Sequence, residues 1–337
     1  MEKIRVAING FGRIGRITFK ELIKKKNIEV VAVNDLTDPK TLAHLLKYDS
    51  VHGRFSGNVS HGEKDLKVNG KTIKVTAEKD PAVLPWKELN IDVVLECTGH
   101  FTDEEGAKKH LTAGAGKVVI SAPAKGNIKT VVLGVNNEVL TGEERIVSNA
   151  SCTTNNVAPM IKIINDNWGI TSGFINTIHA YTGDQNLVDG PHKDLRRARA
   201  AANSIIPTST GAAKAIIQIF PALTGKLAGS SMRVPVPCGS VTDLTLVVEN
   251  SATAEEINAA FKKAAAGDMK GILEYTEDPI VSADIVSNPA SCIFDAELTT
   301  VVGNVVKVVG WYDNEMGYSN RLADLVVMIG EMVETKD

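Results

Sequence analysis

The sequence lacks the features that mark membrane-spanning, exported and metal-binding chains. Its 337 residues contain no apolar run close to the roughly 18 residues that a transmembrane helix needs. The N-terminus leads directly into the apolar pattern IRVAI without a charged and then apolar leader, so we expect no signal peptide. Four scattered cysteines (Cys97, Cys152, Cys238 and Cys292) form no CxxC pair. We therefore expect no metal site, no need for disulfides, and a reducing, cytoplasmic location.

The sequence also has no strong excess of positive or negative charge, no internal repeats and no low-complexity tracts. The formal net charge is only -3, which argues against nucleic acid as a primary partner. Hydrophobic residues make up 43% of the chain and charged residues 23%, as in an ordinary globular protein. A chain of 337 residues is too long for one ordinary core, so we expect two domains.

Short, continuous apolar runs alternate with helical segments in the first half of the chain. Such runs are typical of parallel strands buried on both faces, and their alternation with helices predicts a doubly wound sheet. The predicted strands cover residues 3–8, 29–33, 92–96, 117–121, 130–135 and 145–148.

The pattern changes near residue 150. Several later strands alternate apolar and polar residues, which favours an antiparallel or mixed sheet with one covered face. Predicted strands cover residues 173–179, 232–236, 241–249 and 305–311, and predicted helices cover 153–168 and 254–266. Apolar residues from Leu322 to Val333 have helical spacing and predict a last helix that packs back on the first domain.

A glycine motif at the first strand–helix turn predicts a dinucleotide site. Gly10 allows the tight turn, Gly12 lets a pyrophosphate approach the backbone, and Gly15 lets helix and strand pack closely. The start of the helix offers free N–H groups to the phosphates. Asp35 ends the second predicted strand, where it accepts hydrogen bonds from the ribose hydroxyls and repels a 2′-phosphate. NAD is therefore favoured over NADP.

A cysteine and a histidine form the candidate catalytic pair. Cys152 lies where a predicted strand ends and a helix begins, and a thiol at a helix N-terminus is expected to have a lowered pKa. His179 ends an apolar strand and is a candidate general base. Each residue alone is more often structural, and the sequence does not show that the side chains meet.

Polar and basic residues of the second half predict anion binding. The segment 209–213, STGAA, is a polar turn that opens a helix and suits a phosphate. Arg233 lies within an apolar strand, where a charge needs a partner. Arg196, Arg197 and Arg199 lie together, and surface charge is the simpler interpretation for at least two of them.

Together these segments resemble the glyceraldehyde-3-phosphate dehydrogenase family, the phosphorylating enzymes of glycolysis. The combination of SCTTN with a downstream His is far more specific than the glycine motif. The resemblance covers nearly the whole chain: NGFGRIGR (9–16), VND (33–35), SCTTN (151–155), HAYTGDQ (179–185), HKDLRRARAAA (192–202), STGAAKA (209–215), RVP (233–235) and WYDNEMGYS (311–319).

The resemblance implies an α/β fold with two domains. A Rossmann-type, doubly wound NAD-binding domain comprises residues 1–151 with a C-terminal helix at about 316–337. An α+β catalytic domain with a mostly antiparallel or mixed sheet comprises residues 152–315. The segment from Tyr181 to about Asn203 is expected to pack across a subunit interface, which implies a homotetramer.

The resemblance also implies the chemistry. Cys152 attacks glyceraldehyde 3-phosphate to form a thiohemiacetal, with His179 as base. Loss of hydride to NAD leaves a thioester, which inorganic phosphate converts to 1,3-bisphosphoglycerate. Backbone N–H groups near Cys152 are expected to stabilise the oxyanion.

The implied binding residues belong to three groups. NAD is expected to contact Gly10, Gly12, Arg13, Ile14, Gly15, Asp35 and Ser121, with Asn314 at the carboxamide. One anion site is expected to use Thr182, Arg197 and Arg233. The second is expected to use Ser151, Thr153, Thr210 and Gly211, with Arg233 or its surroundings.

The sequence departs from the usual pattern of the family that it resembles at two places. A third position supports the choice of NAD. Asn156 replaces a second cysteine that many relatives carry, so an intrahelical disulfide is excluded. Val236-Pro237-Cys238 replaces the usual Thr-Pro-Asn after Arg233, which is expected to alter local packing. Pro191 after Gly190 resembles the NAD-dependent type.

Three other functions compete with this hypothesis. Erythrose-4-phosphate dehydrogenase shares the pair Cys152 and His179, but it favours water over phosphate as the acyl acceptor. A non-catalytic NAD-binding or moonlighting nucleic-acid-binding protein does not need this pair. A cysteine hydrolase leaves the glycine motif and Asp35 unexplained.

Overall fold

The structure is a computed structural model that describes residues 3–333. Residues 334–337, the end of the predicted C-terminal helix, lie outside the described range, as do residues 1 and 2. The described chain divides into two compact units. Unit 1 comprises residues up to 131, 137–150 and those from 319 onward, and unit 2 comprises 132–136 and 151–318.

Unit 1 is built on a mostly parallel sheet, to which residues 3–333 contribute nine strands. They are β1 (Ile4–Asn9), β2 (Ile28–Asn34), β3 (Val59–His61), β4 (Asp65–Val68), β5 (Lys71–Thr76), β6 (Val93–Glu96), β7 (Lys117–Ile120), β8 (Lys129–Thr130) and β9 (Ile146–Ser148). Their spatial order is β3-β4-β5-β2-β1-β6-β7-β9-β8. Only the pairs β3/β4 and β4/β5 are antiparallel among these strands. The order reverses at β1, between β2 and β6, which is the switch point where doubly wound sheets bind ligands.

The helices of unit 1 cover the sheet. They are α1 (Arg13–Leu22), α2 (Pro39–Lys47) and α3 (Glu104–Thr112), joined by most of a later helix, α7 (Met316–Glu331). Asp38 and Asp103 cap α2 and α3, since each carboxylate accepts a backbone N–H of the first turn. Small and apolar side chains such as Ala7, Ala32 and Trp86 form a core cluster against the sheet.

Unit 2 contains a mixed sheet. Its described strands are β10 (Ile170–Ala180), β11 (Ile206–Thr208), β12 (Leu227–Val234), β13 (Ser240–Val248), β14 (Leu273–Thr276), β15 (Cys292–Asp295), β16 (Thr300–Val302) and β17 (Val305–Tyr312). The order is β11-β12-β10-β13-β17-β15-β14, with β16 beside β17. The pairs β10/β12 and β14/β15 are parallel, and the others are antiparallel.

Three helices accompany this sheet within the described residues: α4 (Cys152–Trp168), α5 (Ala212–Ile219) and α6 (Ala254–Ala266). Helix α4 packs against β13 and β17, and the burial of β13 alternates strictly along its nine residues. Every second residue of β13 therefore faces the helix layer. Helix α6 begins with a capping box formed by Thr253 and Glu256.

The predicted fold class is confirmed, including the doubly wound parallel sheet and the mixed second sheet. The predicted strand at residues 130–135 is wrong beyond Thr130, because the chain turns there. The backbone N–H groups of Val135 and Asn136 both donate to the carbonyl of Val132, and Gly134 has a φ of +80°. The sequence predictions did not include strands β3 to β5, β11 and β14 to β16. Over residues 3–333, no helix combines the length and the apolar character needed to cross a membrane.

Candidate active site

The glycine turn of unit 1 has the geometry that its sequence predicted. Gly10 has a φ of +91°, and a Cβ there would lie 2.8 Å from the carbonyl carbon of Cys97. A Cβ at Gly15 would lie 2.2 Å from the carbonyl oxygen of Gly10. At Gly12 a Cβ would meet nothing within 4 Å. Gly10 and Gly15 are thus required by close packing, whereas Gly12 leaves open space in front of the helix.

A cavity of about 480 Å³ lies at this turn, at the switch point of the sheet. Its lining includes Asn9, Gly10, Gly12, Asn34, Asp35, Leu36, Cys97 and Thr98. The carboxylate of Asp35 accepts hydrogen bonds from the backbone N–H groups of Phe11 (2.7 Å) and Thr37 (2.9 Å). These bonds fix the carboxylate at the cavity wall. The open backbone, the cavity and this carboxylate fit a dinucleotide.

The other residues expected at NAD have ordinary positions in unit 1. Arg13, in the first turn of α1, donates to Asp49 through both terminal nitrogens at 3.2 Å. Ile14 is half-buried beside it. Ser121 follows β7, and its hydroxyl bonds with the thiol of Cys97, whose pKa burial raises to about 12. Cys97 is therefore a neutral thiol at neutral pH.

Cys152 is the first residue of α4 in unit 2. Ser151 precedes it as the N-cap, and its hydroxyl accepts the N–H of Thr154 at 3.1 Å. Ala150, one residue earlier, has a φ of +55°, which is unfavourable for a residue with a Cβ. The half-buried thiol lies with Sγ 3.4 Å from Nε2 of His179. Two side chains far apart in sequence thus form a hydrogen-bonded pair.

The tautomer of His179 follows from its second contact. Nδ1 lies 2.7 Å from the carbonyl oxygen of Ala180, which only accepts, so Nδ1 carries the proton. Burial, together with the charge of Arg233, lowers the pKa of His179 to about 4. The imidazole is therefore neutral at physiological pH, with its Nε2 lone pair directed at the thiol of Cys152.

The prediction that the thiol pKa is lowered is wrong. Burial raises the pKa of Cys152, and this effect exceeds the opposing effects of Arg233 and of hydrogen bonding with Thr153. Because the helix start supplies only part of the stabilisation that a thiolate needs, the resting pair is thiol and imidazole.

Arg233 lies beside His179 because the two occupy paired positions in the parallel strands β12 and β10. Its Nη1 donates to Oγ1 of Thr182 (2.7 Å) and, at 3.3 Å each, to the carbonyl of Ala180 and the side-chain oxygen of Gln185. Within residues 3–333, Nε of Arg233 and Nε2 of Gln185 are buried without a hydrogen-bond partner. Such unsatisfied donors suit an anionic ligand.

Of the three clustered arginines, Arg197 is the one connected to Thr182. Its Nη1 donates to Asp184 at 2.6 Å, and Asp184 in turn accepts the hydroxyl of Thr182. Arg199 instead pairs with Asp189 at 2.9 Å, where both side chains are exposed. Arg196 is exposed and donates its backbone N–H to Asp194.

The residues expected at the second anion site lie at two helix starts. Ser151 and Thr153 belong to the start of α4, where the Thr153 hydroxyl lies 2.9 Å from that of Tyr312. Thr210 and Gly211 precede α5, and Oγ1 of Thr210 accepts the N–H of Ala212 at 3.2 Å. Gly211 is exposed and is the N-cap residue of α5, where no side chain caps the helix.

Asn314 is buried, and its amide orientation is fixed. Its Oδ1 accepts the N–H of Gly239 (3.2 Å) and the hydroxyl of Ser240 (3.0 Å). The amide nitrogen is therefore the part of Asn314 that is left to donate to a ligand.

The two sequence departures have local explanations. Nδ2 of Asn156 donates to the carbonyls of Gly310 and Trp311 at 3.3 Å each, so it ties α4 to β17. Cys238 is buried, and its thiol donates to Asp313 at 3.0 Å. Burial and the carboxylate of Asp313 raise the pKa of Cys238, which therefore stays a structural thiol.

Sequence reasoning missed Asp184 and Tyr312. Tyr312 is fully buried, its ring centroid lies 6.0 Å from that of His179, and burial raises its pKa well above the ordinary value. Both residues fall inside motifs that resemble the family. No spacing rule singles them out, because Tyr312 reaches Thr153 across 159 positions of sequence.

Comparison with known proteins agrees with this geometry. A sequence profile described as glyceraldehyde 3-phosphate dehydrogenase, NAD binding domain, matches residues 4–104, and the profile for the C-terminal domain matches residues 151–314. Glyceraldehyde-3-phosphate dehydrogenase 2 of Streptomyces avermitilis is 57% identical over 333 residues, which cover 98% of this chain and 99% of the relative. The enzymes of Streptomyces coelicolor and Mycobacterium avium are each 58% identical, with 98% and 97% of this chain and 99% of each relative covered.

These matches confirm the prediction of NAD as the cofactor, since one profile is that of an NAD-binding domain. They also confirm an oxidoreductase, because relatives that carry the dehydrogenase name align over almost the entire chain. The chain belongs to the glyceraldehyde-3-phosphate dehydrogenase family.

Proposed function

We propose that the protein oxidises D-glyceraldehyde 3-phosphate with NAD and inorganic phosphate to 1,3-bisphosphoglycerate, as in glycolysis. The observation that carries this proposal is the pair of Cys152 and His179. Its Sγ–Nε2 distance is 3.4 Å, and the bond from Nδ1 to Ala180 leaves Nε2 free to take the thiol proton. This is the arrangement of a nucleophile with an oriented base.

The pair accounts for the transfers of the thiol proton and of the hydroxyl proton. Nε2 of His179 accepts the thiol proton as Sγ of Cys152 forms a bond to the aldehyde carbon, and this proton passes to the new hydroxyl. His179 accepts the hydroxyl proton when the thiohemiacetal is oxidised to a thioester. Bound NAD supplies the hydride acceptor. An oxygen of hydrogen phosphate attacks the thioester carbon, which breaks the C–S bond and releases the acyl phosphate. The departing thiolate of Cys152 takes the proton held on His179, and the phosphate proton goes to solvent, so the neutral pair is restored.

Anion binding is expected to change the pKa of both members of the pair. The positive charge of Arg233 lowers the pKa of His179 and also that of Cys152, whereas burial raises that of Cys152. A phosphate group at Arg233 adds negative charge that offsets the guanidinium. The pKa of His179 then rises and so does that of Cys152, so His179 is a stronger base and the thiol is a weaker acid in the substrate complex.

We assign two anion sites to the reaction. Thr182, Arg197 and Arg233 are proposed to form the first, supported by the unpartnered Nε of Arg233. Ser151, Thr153, Thr210 and Gly211 are proposed for the second, supported by their positions at the starts of α4 and α5.

We also propose a role for each residue expected to bind the cofactor. Gly10, Gly12, Arg13, Ile14 and Gly15 are proposed to hold the pyrophosphate, with Asp35 at the adenosine ribose and Ser121 beside the cofactor. Asn314 is proposed to bind the nicotinamide carboxamide through its amide nitrogen, as the fixed Oδ1 favours.

We further propose a cytoplasmic homotetramer of two-domain subunits, with the domain boundary near residue 151. The segment Tyr181–Asn203 exposes three large apolar side chains, Leu187 (77%), Val188 (75%) and Leu195 (81%). Contact with a second subunit would remove this apolar surface from water.

The test is NADH formation from glyceraldehyde 3-phosphate and NAD, with and without inorganic phosphate. We expect phosphate-dependent turnover in the wild type and none in Cys152→Ser, because a hydroxyl is intrinsically a much weaker nucleophile than a thiol. The control Cys292→Ala alters a buried cysteine in β15 and should stay active.

Turnover that needs no phosphate would replace the proposal with a hydrolysing relative such as erythrose-4-phosphate dehydrogenase. A folded wild type that binds NAD but forms no NADH would indicate a non-catalytic binding protein.

A further inference from the structure

Asp184 lies among the cationic groups of the first anion site. One carboxylate oxygen accepts from Nη1 of Arg197 at 2.6 Å, and the other accepts the Thr182 hydroxyl. Thr182 in turn accepts from Nη1 of Arg233 at 2.7 Å. Asp184 therefore contacts one arginine directly and the other through a hydroxyl.

Asp184 occupies the one hydrogen-bond donor of the Thr182 side chain. The Thr182 hydroxyl has one hydrogen, and since its oxygen already accepts from Arg233, that hydrogen goes to Asp184. While Asp184 stays in place, Thr182 cannot donate to another anion. The Nη1 donor of Arg197 is likewise engaged, and its Nε donates to Thr208 at 3.0 Å.

Other donors at the same place remain unused. Nε of Arg233 and Nε2 of Gln185 are buried without a partner among the described residues. A single carboxylate thus satisfies part of a donor set that a tetrahedral, multiply charged oxyanion would satisfy more fully.

The charge of Asp184 is maintained at neutral pH. Partial burial alone would raise its pKa, but the hydrogen bond from Thr182 and the charges of Arg233 and Arg197 hold that pKa below its usual range. The site therefore contains two guanidinium groups and one carboxylate, and the side chain of Asp184 is 43% exposed. An exposed carboxylate can leave these donors toward solvent.

We propose that Asp184 is a resident counter-anion that competes with phosphoryl groups for Thr182 and Arg197. It occupies these donors between turnovers, weakens the binding of phosphate groups, and takes the donors back when product leaves. The inference rests on the proposed function of this site as an anion site, which the experiment tests separately.

The decisive variant is Asp184→Asn, with Asp184→Ala beside it. Asn keeps the size and an acceptor oxygen but removes the charge, and Ala removes both. Titration calorimetry with inorganic phosphate should show binding about two- to fivefold tighter in both variants, the size expected for a partly exposed charge. The control Asp189→Asn removes a carboxylate from the same segment, where it pairs with Arg199, and should leave phosphate binding unchanged.

Weaker binding in both Asp184 variants would show that Asp184 positions Arg197 and Thr182 instead of competing, and it would overturn the proposal. Unchanged binding would overturn it as well. Steady-state kinetics then identify the ligand, since a lower KM for the aldehyde phosphate points to the substrate phosphate and a lower KM for inorganic phosphate to the attacking one. If the wild type formed no NADH while Asp184→Asn still bound phosphate more tightly, the proposed function would fail and this inference would stand.

Discussion

Two buried polar sites, the network around Glu96 and His110 in unit 1 and the pair of Cys152 and His179 in unit 2, differ in how completely they are hydrogen-bonded. In unit 1, Oε2 of Glu96 accepts from Asn9 (2.6 Å) and His110 (3.0 Å), while Oε1 accepts from the N–H of Thr98 at 2.7 Å. Glu96 is only 1% exposed and His110 is fully buried. The carboxylate thus lies in a site with several matched donors.

The same network fixes the tautomer of His110. The indole N–H of Trp86 donates to Nδ1 at 3.0 Å, so Nδ1 must be unprotonated and Nε2 must carry the hydrogen that faces Glu96. Asn34 continues the network by donating to Oδ1 of Asn9 at 2.7 Å. Every member has a defined partner, as expected of a network that stabilises one conformation.

The site of unit 2 is arranged in the opposite way. The Nε2 lone pair of His179 faces a thiol, which is a weak donor, and Arg233 keeps a buried nitrogen without a partner in the described range. The two histidines are almost equally buried, at 0% and 5% exposure, so burial does not distinguish them. Between these two histidines, the unused hydrogen-bonding capacity of the surrounding groups is therefore the difference, and burial is not.

The largest effect on the rate is expected from replacing His179, whose Nε2 lone pair has only a weak donor as its partner. His179→Gln keeps a polar side chain but removes the base, so the rate of NADH formation should fall by about 10² to 10⁴. Stopped-flow absorbance of NADH measures this loss. The exposed His61 provides a control, since His61→Gln should keep the wild-type rate. A His179→Gln rate close to the wild type would remove the base from the mechanism.

The same variant tests the protonation of His179. Its folded-state pKa of about 4 lies below the ordinary 6.5, so below pH 6.5 the unfolded chain binds a proton that the folded chain does not. His179 therefore contributes to a loss of stability as the pH falls from 6.5 toward 4. Denaturant unfolding at several pH values should show a smaller acid loss in His179→Gln. An equal loss in both proteins would indicate a normal pKa.

A smaller effect, on stability instead of rate, is expected from breaking the network of unit 1. Both carboxylate oxygens of Glu96 accept hydrogen bonds from neighbouring donors. In Glu96→Gln one of these oxygens becomes an NH₂ group, which faces a donor, so that contact becomes repulsive. The free energy of unfolding should fall by about 2–4 kcal/mol, as for other broken buried networks. Urea unfolding of Glu96→Gln and of the exposed Glu88→Gln measures the difference. Equal stabilities would show that the network contributes nothing to folding.

The sequence predicted those parts of the molecule that local patterns determine. Continuous apolar runs identified β1, β2, β6 and β7 because both faces of these strands are buried. The same rule failed after Thr130, where an equally apolar run is a buried turn. Hydrophobicity reports burial and does not by itself distinguish a strand from a turn.

The site was predicted only as separate residues. Cys152 and His179 were identified by residue type and by their places at the start of a helix and the end of a strand. Their contact depends on how α4 packs against the sheet, which no local pattern contains. The raised pKa of Cys152 was missed for the same reason, since burial depends on tertiary packing. Asp184 was overlooked because its role depends on Arg197 and Thr182 together.

The smallest effect is expected at Asp35, a carboxylate that lines the cavity of unit 1. The backbone N–H groups of Phe11 and Thr37 each donate to one of its oxygens and hold it in place. Asp35→Asn keeps an acceptor but removes the charge that repels a 2′-phosphate. The NAD/NADP ratio of kcat/KM should fall about tenfold, which corresponds to about 1.4 kcal/mol. Asp35→Ala should lower this ratio as well. It should also weaken the binding of NAD, because the ribose hydroxyls and the N–H groups of Phe11 and Thr37 all lose their acceptor. An unchanged ratio in both variants would show that Asp35, like Glu96, serves the structure alone and does not discriminate between the two cofactors.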